Sequence, residues 1–360
     1  MMIPTQSERP RVLDIFDAAK EDARPVYIAA PMVRYTKLPF RLLLRSYATD
    51  ILYTPMMLAH EFVRSSFARD SDFTTHPDER LPTMSPSGKS RKHALIAQFA
   101  ASSPDDFARA AELISPWVDG VDLNCGCPQS WAIHEGIGCA LMASPESVAE
   151  MVRAAKARLP RSKSVSVKIR IHPDLNETIR WLEIVQASDV DYITVHGRLR
   201  SQRSSTPPDF AAIRKLRAHI RVPMIANGDV YTLASPSAPL SSSQPPSVKS
   251  VRQIAELTQA DGVMSARGLL ENPALFAGFE ATPVECVQRF LGYAVKCPIP
   301  YPLVLHHVGE MTQFMEGRIR MGKEERKQLM ACADLLELLD FVDVKWGLGE
   351  KVVLDGNSDE

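Results

Sequence analysis

The sequence predicts an α/β fold, a (β/α)8 TIM barrel followed by a small all-helical C-terminal domain. Three observations carry that prediction. Eight apolar runs of strand length recur at 26–32, 51–58, 95–101, 120–126, 165–171, 192–197, 223–230 and 262–268. Each is rich in β-branched or other apolar residues. Helical patterns separate them, and eight such alternations over roughly 250 residues match a barrel in count and length. From residue 284 the strand-like runs stop and only helical patterns follow. A doubly wound sheet is the runner-up, but no GxGxxG follows the first run.

In chain order, residues 1–24 form an N-terminal extension. It has no apolar run to make a signal peptide, and its acidic residues fit a transit peptide poorly. The barrel is expected over 25–283, with helices at 104–113, 145–159, 175–187, 209–219 and 248–258 between the later runs. Two segments interrupt the alternation. Residues 70–92 are polar, with Pro77, Pro82 and Pro86, and read as a long loop before the third run. Residues 235–247, SPSAPLSSSQPPS, are Pro/Ser-rich and read as a flexible surface insertion. Helices near 284–295, 302–320 and 323–341 make up a C-terminal domain at 284–345, and 346–360 reads as a frayed tail.

Hydrophobic residues at 45% and charged residues at 24% are ordinary globular proportions, ample for a sizeable core. A net charge of −1 argues against a generally basic nucleic-acid binder, although an average hides any local patch. Six cysteines in 360 residues are no disulfide framework. Cys125 and Cys127 are too close to bridge without strain, which fits a reducing compartment. Cys-X-Cys is not the usual zinc spacing and no matching His or Cys pair follows, so no metal is expected. Nor does any stretch approach the ~18 apolar residues of a membrane helix. A soluble, cytoplasmic protein is the expectation, with the nucleus as the alternative.

The stretch with most chemical content is GVDLNCGCPQSWAIHEGIGCALM at 120–142. A cysteine just past the carboxyl end of a strand stands where α/β folds place chemistry, and Pro128 stiffens the turn that holds it. The competing reading is a buried structural thiol; the glycines and proline around this strand end tip the balance. The seventh run ends in Asn227-Gly228-Asp229 and the eighth in Ser265-Ala266-Arg267-Gly268. Loops after strands 7 and 8 of a barrel commonly hold a phosphate. Glycines admit close backbone N–H groups there, and Arg267 adds a forked cation. Lys168 alternates with Val167 and Ile169, so it faces the mouth, where it could stabilise an anionic ring, form a Schiff base or pair with a carboxylate. His196 ends the sixth run beside Gly197; Pro31, Met32 and Val33 end the first; Gln98 on the third offers an amide to a heterocycle's edge. Together these describe a flat, phosphorylated heteroaromatic cofactor across the mouth, and flavin mononucleotide (FMN) fits.

With these pieces in order the chain resembles the tRNA-dihydrouridine synthase family. The matching motifs are Ala30-Pro31-Met32, Gln98, Asp122-Leu123-Asn124-Cys125-Gly126-Cys127-Pro128, Val167-Lys168-Ile169-Arg170, Val195-His196-Gly197-Arg198, Asn227-Gly228-Asp229 and Ala266-Arg267-Gly268. Gln129 and Trp131 after the cysteines, with GVMSARGLLENPALFAG, look most like the eukaryotic branch acting on U20a and U20b of the tRNA D-loop. The resemblance implies that NADPH reduces FMN, that hydride passes to C6 of a uridine flipped from its loop, and that Cys127 protonates C5. It implies FMN contacts at Pro31, Met32, Val33, Gln98, Lys168, His196, Asn227, Gly228, Asp229, Ala266 and Arg267, and substrate contacts at Asn124, Arg170 and Arg198. Cys125 is the rival acid, but it stands where many family members carry another residue, commonly Met. Three departures from the family pattern are the long 70–92 loop, the 235–247 insertion and a short helical tail.

Basic residues for tRNA would then be local: Arg318, Arg320, Lys323, Arg326 and Lys327 in the helical domain, Lys89, Arg91 and Lys92 before the third run, and Arg198, Arg200 and Arg203 after the sixth. The bland reading of each is a solvated face, and Glu324 and Glu325 dilute the first. Rival functions are an FMN barrel acting on a free pyrimidine or other small molecule, an aldolase using Lys168, and a tRNA-binding factor without catalysis.

Overall fold

Pairing each apolar run with the next closes a barrel in the computed structural model, which describes residues 9–84, 90–232, 250–315 and 317–348. The eight strands are β1 (Val26–Ala29), β2 (Ile51–Tyr53), β3 (Ala94–Ala100), β4 (Gly120–Cys125), β5 (Ser164–Ile171), β6 (Tyr192–Leu199), β7 (Met224–Asn227) and β8 (Gly262–Ser265). All neighbours are parallel, and β8 returns to β1 with Val26 opposite Gly262, so the sheet has no free edge. The second run is interrupted. Pro55 has no N–H to give a ladder, and the strand resumes only at Met57–Leu58. Thr54 fills the gap with its hydroxyl, which accepts from the Gln98 N–H at 3.1 Å.

Alternation then sorts the side chains. Val121, Leu123, Val165, Val167 and Ile169 face outward, onto helices Pro104–Ile114, Pro145–Arg158 and Leu175–Gln186. Residues 104–113, 145–159, 175–187, 209–219 and 248–258 of the sequence pattern correspond to helices at Pro104–Ile114, Pro145–Arg158, Leu175–Gln186, Phe210–Arg217 and Val251–Thr258. Ser103, Asp174, Asp209 and Ser250 cap their first turns by accepting backbone N–H groups, which fixes where each helix begins.

Part of the N-terminal extension belongs to the core. Helix Arg11–Glu21 buries Val12, Ile15, Phe16 and Ala19 in one cluster with the inward residues Val26, Ile51, Ala94, Tyr192 and Ile225 near the strand starts. It stoppers the amino end of the barrel, so the carboxyl end is left as the open mouth. Phe16 lies 5.9 Å from Tyr192, ring to ring. Phe16→Ala should therefore cost about 3–5 kcal/mol in denaturant-induced unfolding. A loss below ~1 kcal/mol would place this helix outside the core.

The C-terminal helices are Val284–Lys296, Tyr301–Met311, Lys323–Ala331 and Leu335–Trp346. Two expected helices change. The one drawn over 302–320 ends at Met311 and continues only as short 3-10 turns. The one drawn over 323–341 breaks before Asp334, whose carboxylate accepts from Leu336 and Glu337 N–H and starts a new helix. Phe290, Val308, Met311 and Leu338 share a cluster with Phe40, Leu43 and Leu44 of helix Leu38–Ser46. His307 reaches the β1 loop, with Nε2 3.1 Å from the Tyr35 carbonyl.

The stretch expected as loop 70–92 holds the end of helix Ser66–Asp72, a 3-10 turn at Pro77–Arg80 and a small antiparallel pair, Thr83–Met84 with Ser90–Arg91. A buried ion pair, Arg41 Nε to Glu79 Oε1 at 2.6 Å, ties it to helix Leu38–Ser46. The 235–247 insertion, the distal tail from 349 and Lys89 lie outside the described residues.

Candidate active site at the barrel mouth

Polar side chains replace apolar ones in the upper half of the barrel. On β4 and β5 the inward positions are Asp122, Asn124, Ser166, Lys168 and Arg170, with Lys168 registered against Asn124. A carboxylate inside a barrel must be hydrogen-bonded, and Asp122 is. It accepts from Gln98 Nε2 at 2.8 Å and from Ser166 Oγ at 2.6 Å. Burial raises its pKa to about 6. Gln98 Oε1 in turn accepts from Asn124 Nδ2 at 2.8 Å. Asn124 Oδ1 accepts the backbone N–H groups of Gly126 at 3.0 Å and Cys127 at 2.8 Å.

Cys127 follows β4 directly. Its carbonyl accepts from Cys139 N–H at 2.9 Å, and Gly138 passes so close at φ +62° that a Cβ there would lie 2.7 Å from that carbonyl. The loop is thus clamped on both sides, with the Cys127 side chain half-buried against Ala100, Ala132 and Ile137. Cys125 is different. It alternates with Val121 and Leu123, points out into the core behind the barrel, and burial pushes its thiol well above the ordinary range. A side chain on that face cannot serve the mouth. Burial likewise pushes Cys139 up to about 11.

On the far side β7 and β8 end around a cavity of about 150 Å³ lined by Arg198, Asn227, Gly228, Asp229, Arg267 and Gly268, among others. Asp229 bridges two cations, accepting from Arg198 Nη2 at 2.7 Å and Arg267 Nη2 at 3.1 Å. Asn227 Nδ2 donates to the Met264 carbonyl at 2.9 Å and locks the two strand ends together. Gly228 at φ +135° and Gly268 permit the approach: a Cβ on Gly268 would stand 2.1 Å from the Val230 carbonyl. A small, glycine-walled cavity with two guanidiniums matches a phosphate.

His196 lies within this group. Arg198 Nη1 stands 3.1 Å from its Nε2, and because a guanidinium only donates, Nε2 must accept and the ring proton sits on Nδ1. Burial, with Lys168, Arg170 and Arg198 nearby, holds the ring neutral, its pKa far below the ordinary value. Arg198, read from sequence as a substrate contact, is buried among the Thr206 and Ser204 carbonyls and lines the phosphate-sized cavity. Arg170 braces the Gly126, Leu199 and Gln202 carbonyls, bridging the β4 and β6 loops. A register shift after Arg170 leaves Gly197 and Arg198 bulged out of the ladder, which resumes with Ile171 opposite Leu199. Pro31, Met32 and Val33 leave β1 beside Ala266 and Arg267 because β1 pairs with β8. Met32 is tied to Thr36, and Val33 stands 54% exposed at the rim.

Lys168 supplies the test of whether a flavin fits. Its ammonium has no hydrogen bond or ion pair among the described residues, yet burial and the nearby Arg170 push its pKa down to about 8. The ammonium is half-buried and Asp122 offsets it only through space, so an anionic ligand is favoured there, and a flavin ring with its phosphate in the neighbouring cavity meets that need. The sign can be checked without the cofactor. The folded pKa lies below the unfolded value, so this lysine's contribution to stability is present above the unfolded pKa and lost as pH falls through about 8. Cofactor-free Lys168→Met should be more stable than the parent by about 1–3 kcal/mol at neutral pH. That gap should close between pH 8 and the unfolded lysine pKa, while flavin retention weakens. A variant less stable at neutral pH would mean the ammonium is compensated.

The basic clusters separate. Arg91 pairs with buried Asp50 at 2.6 Å and Lys92 with Asp14 at 3.2 Å, both at the stoppered end, because these residues enter β3 from its start. Arg326 braces the Gly309 carbonyl and Thr312. Arg200 and Arg203 are exposed at the mouth rim. Residues that sequence reasoning left without a role are Asp122 and Ser166; the signal was alternation, which puts Asp122 on the same face as Asn124. Among the described residues no cluster could hold a metal ion, and no helix is long and apolar enough to cross a membrane.

The sequence profile of dihydrouridine synthase (Dus) matches residues 28–338. A Schizosaccharomyces pombe protein named tRNA-dihydrouridine(20a/20b) synthase, NAD(P)+, is 45% identical over 315 residues, covering 86% of this chain and 87% of its own. A Saccharomyces cerevisiae protein of the same name is 38% identical over 326 residues, covering 89% of this chain and 80% of its own. A Mus musculus protein named tRNA-dihydrouridine(16/17) synthase-like is 30% identical over 286 residues, covering 78% and 54%.

Proposed function

We propose a function from one premise: the chain belongs to the dihydrouridine synthase family. It is an oxidoreductase that reduces the C5–C6 bond of a tRNA uridine to dihydrouridine, and its target is U20a or U20b, the positions named for its 45%-identical relative. FMN held across the mouth supplies the hydride, with NADPH as reductant. Lys168 would offset charge at the ring's pyrimidine end, Gln98 and His196 would present an amide and an Nδ1–H to its edge, and Arg267 with Gly228 would hold the phosphate. The β1 loop, Pro31 to Val33, would cover one side with apolar surface.

The observation that carries the reading is the placing of two groups at one mouth: a clamped, half-buried thiol at Cys127 and an unpaired ammonium at Lys168. The Cys127 thiol carries the proton that would pass to the uracil C5 as the ring is reduced. Asn124 fixes that loop. The helical domain at 284–345 and the rim arginines form the tRNA-binding surface, in the cytoplasm or nucleus where tRNA is processed.

Two measurements bear on substrate class. Turnover on a D-loop uridine in tRNA should exceed that on free uridine by more than about 10³-fold, since remote contacts hold the flipped base. Equal rates would make this a free-pyrimidine reductase. Arg200→Ala with Arg203→Ala should lower the slope of log affinity against log salt by about 1–2. An unchanged slope would move the RNA path off this rim.

A further inference from the structure

The family reading leaves Asp122 without a task, though it is fully buried and lies among the residues of the mouth. Its bonds form a chain with a fixed direction. At one end the backbone N–H groups of Gly126 and Cys127 require an oxygen from Asn124, which turns Asn124 Nδ2 toward Gln98. Nδ2 then requires the oxygen of Gln98, which turns Gln98 Nε2 toward Asp122. An ionised carboxylate only accepts, so it meets that donor and the Ser166 hydroxyl without conflict. Turning either amide over would set donor against donor and oxygen against oxygen, so the chain has one arrangement.

We propose that Asp122 is a positioning residue: acting through Gln98 and Asn124, its carboxylate sets where the Cys127 thiol stands and which edge Gln98 shows to the mouth. Without the carboxylate, Gln98 loses the partner that fixes its orientation, Asn124 Nδ2 loses the certainty of meeting an oxygen, and the loop after β4 is free to shift. The chain also leaves Gln98 one N–H and one lone pair, a donor and an acceptor side by side, for a heterocycle. The inference rests on the proposed reaction for its consequence, but its geometry concerns the cysteine loop alone.

The test measures alkylation of Cys127 by iodoacetamide, followed on its peptide by mass spectrometry, with buried Cys125 as the silent internal control. Asp122→Leu keeps the volume and removes the acceptor, and should change the Cys127 rate by about fivefold or more. It should also slow dihydrouridine formation by roughly 30–100-fold, the scale of a 1 Å misplacement. NADPH-driven flavin reduction should fall less than dihydrouridine formation does, because it loses only the fixed Gln98 edge and not the placing of the thiol. Asp122→Asn keeps one oxygen for Gln98 and should restore both rates to within about threefold.

The links act in series, so Asn124→Ala should reproduce the alkylation change, and the double variant should change no further, within about a factor of two. Multiplying effects, or a Cys127 rate in Asp122→Leu equal to the parent's, would overturn the proposal. If Asp122→Leu does not fold, the same cycle between Gln98→Leu and Asn124→Ala reads the chain instead. A parent protein that fails on tRNA while the alkylation pattern holds would count against the proposed substrate and leave the positioning intact.

Discussion

Cys127→Ala lowers dihydrouridine formation by about 10²–10⁴-fold, the range expected for loss of a general acid, while the bound flavin is still bleached by NADPH. The split follows from placement. The thiol stands on the β4 loop, held by Asn124 and Cys139, whereas the groups expected to hold the ring and phosphate lie on the β1 loop and on β3, β5, β6, β7 and β8. Removing one sulfur from a half-buried site leaves those strands unchanged. The companion variant Cys125→Ala gives the opposite pattern. It empties space in the core behind the barrel, so stability falls by about 1–2 kcal/mol and turnover changes little. The pair is followed by anaerobic spectroscopy of flavin reduction alongside nucleoside mass spectrometry. Full activity in Cys127→Ala would return the acid role to another group.

Gly268→Ala yields a colourless protein. A methyl at that position would press within 2.1 Å of the Val230 carbonyl and 2.8 Å of Ser265 Oγ, and the first of these is backbone. Relief requires the loop after β7 to part from the helix that starts at Arg267, which opens the phosphate-sized cavity between Asp229 and Arg267. Flavin affinity should drop by more than about 100-fold, equivalent to two or more charge-assisted hydrogen bonds. Gly317→Ala is the control: its φ of +63° strains the backbone on substitution, but nothing lies within 4 Å of its added Cβ, so flavin should stay bound. A yellow, stoichiometrically loaded Gly268→Ala protein would place the phosphate elsewhere.

The barrel was legible because each strand announces itself as an isolated apolar run, and outward alternation follows from any one correctly placed residue. Mouth residues were legible for the same reason: Lys168 alternates with Val167 and Ile169, and Cys127, His196 and Asn227 fall at strand ends. What the pattern could not convey was relation across the fold. Helix Arg11–Glu21 has an amphipathic face, but nothing local says that it stoppers the barrel. Arg91 and Lys92 read as a basic patch, and only their entry into β3 from its start turns them toward Asp50 and Asp14. The break before Asp334 depends on a capping bond that competes with a continuing apolar pattern. Asp122 stood in full view within the cysteine motif, yet its work depends on Gln98, which lies 24 residues away in sequence.

The most direct test of the central claim is to incubate the purified protein with NADPH and tRNA lacking dihydrouridine, then map modified nucleosides by mass spectrometry. The structure and family membership predict a gain of two hydrogens at U20a or U20b, absent with Cys127→Ala. A yellow protein, bleached by NADPH, that leaves every D-loop uridine unchanged would contradict it.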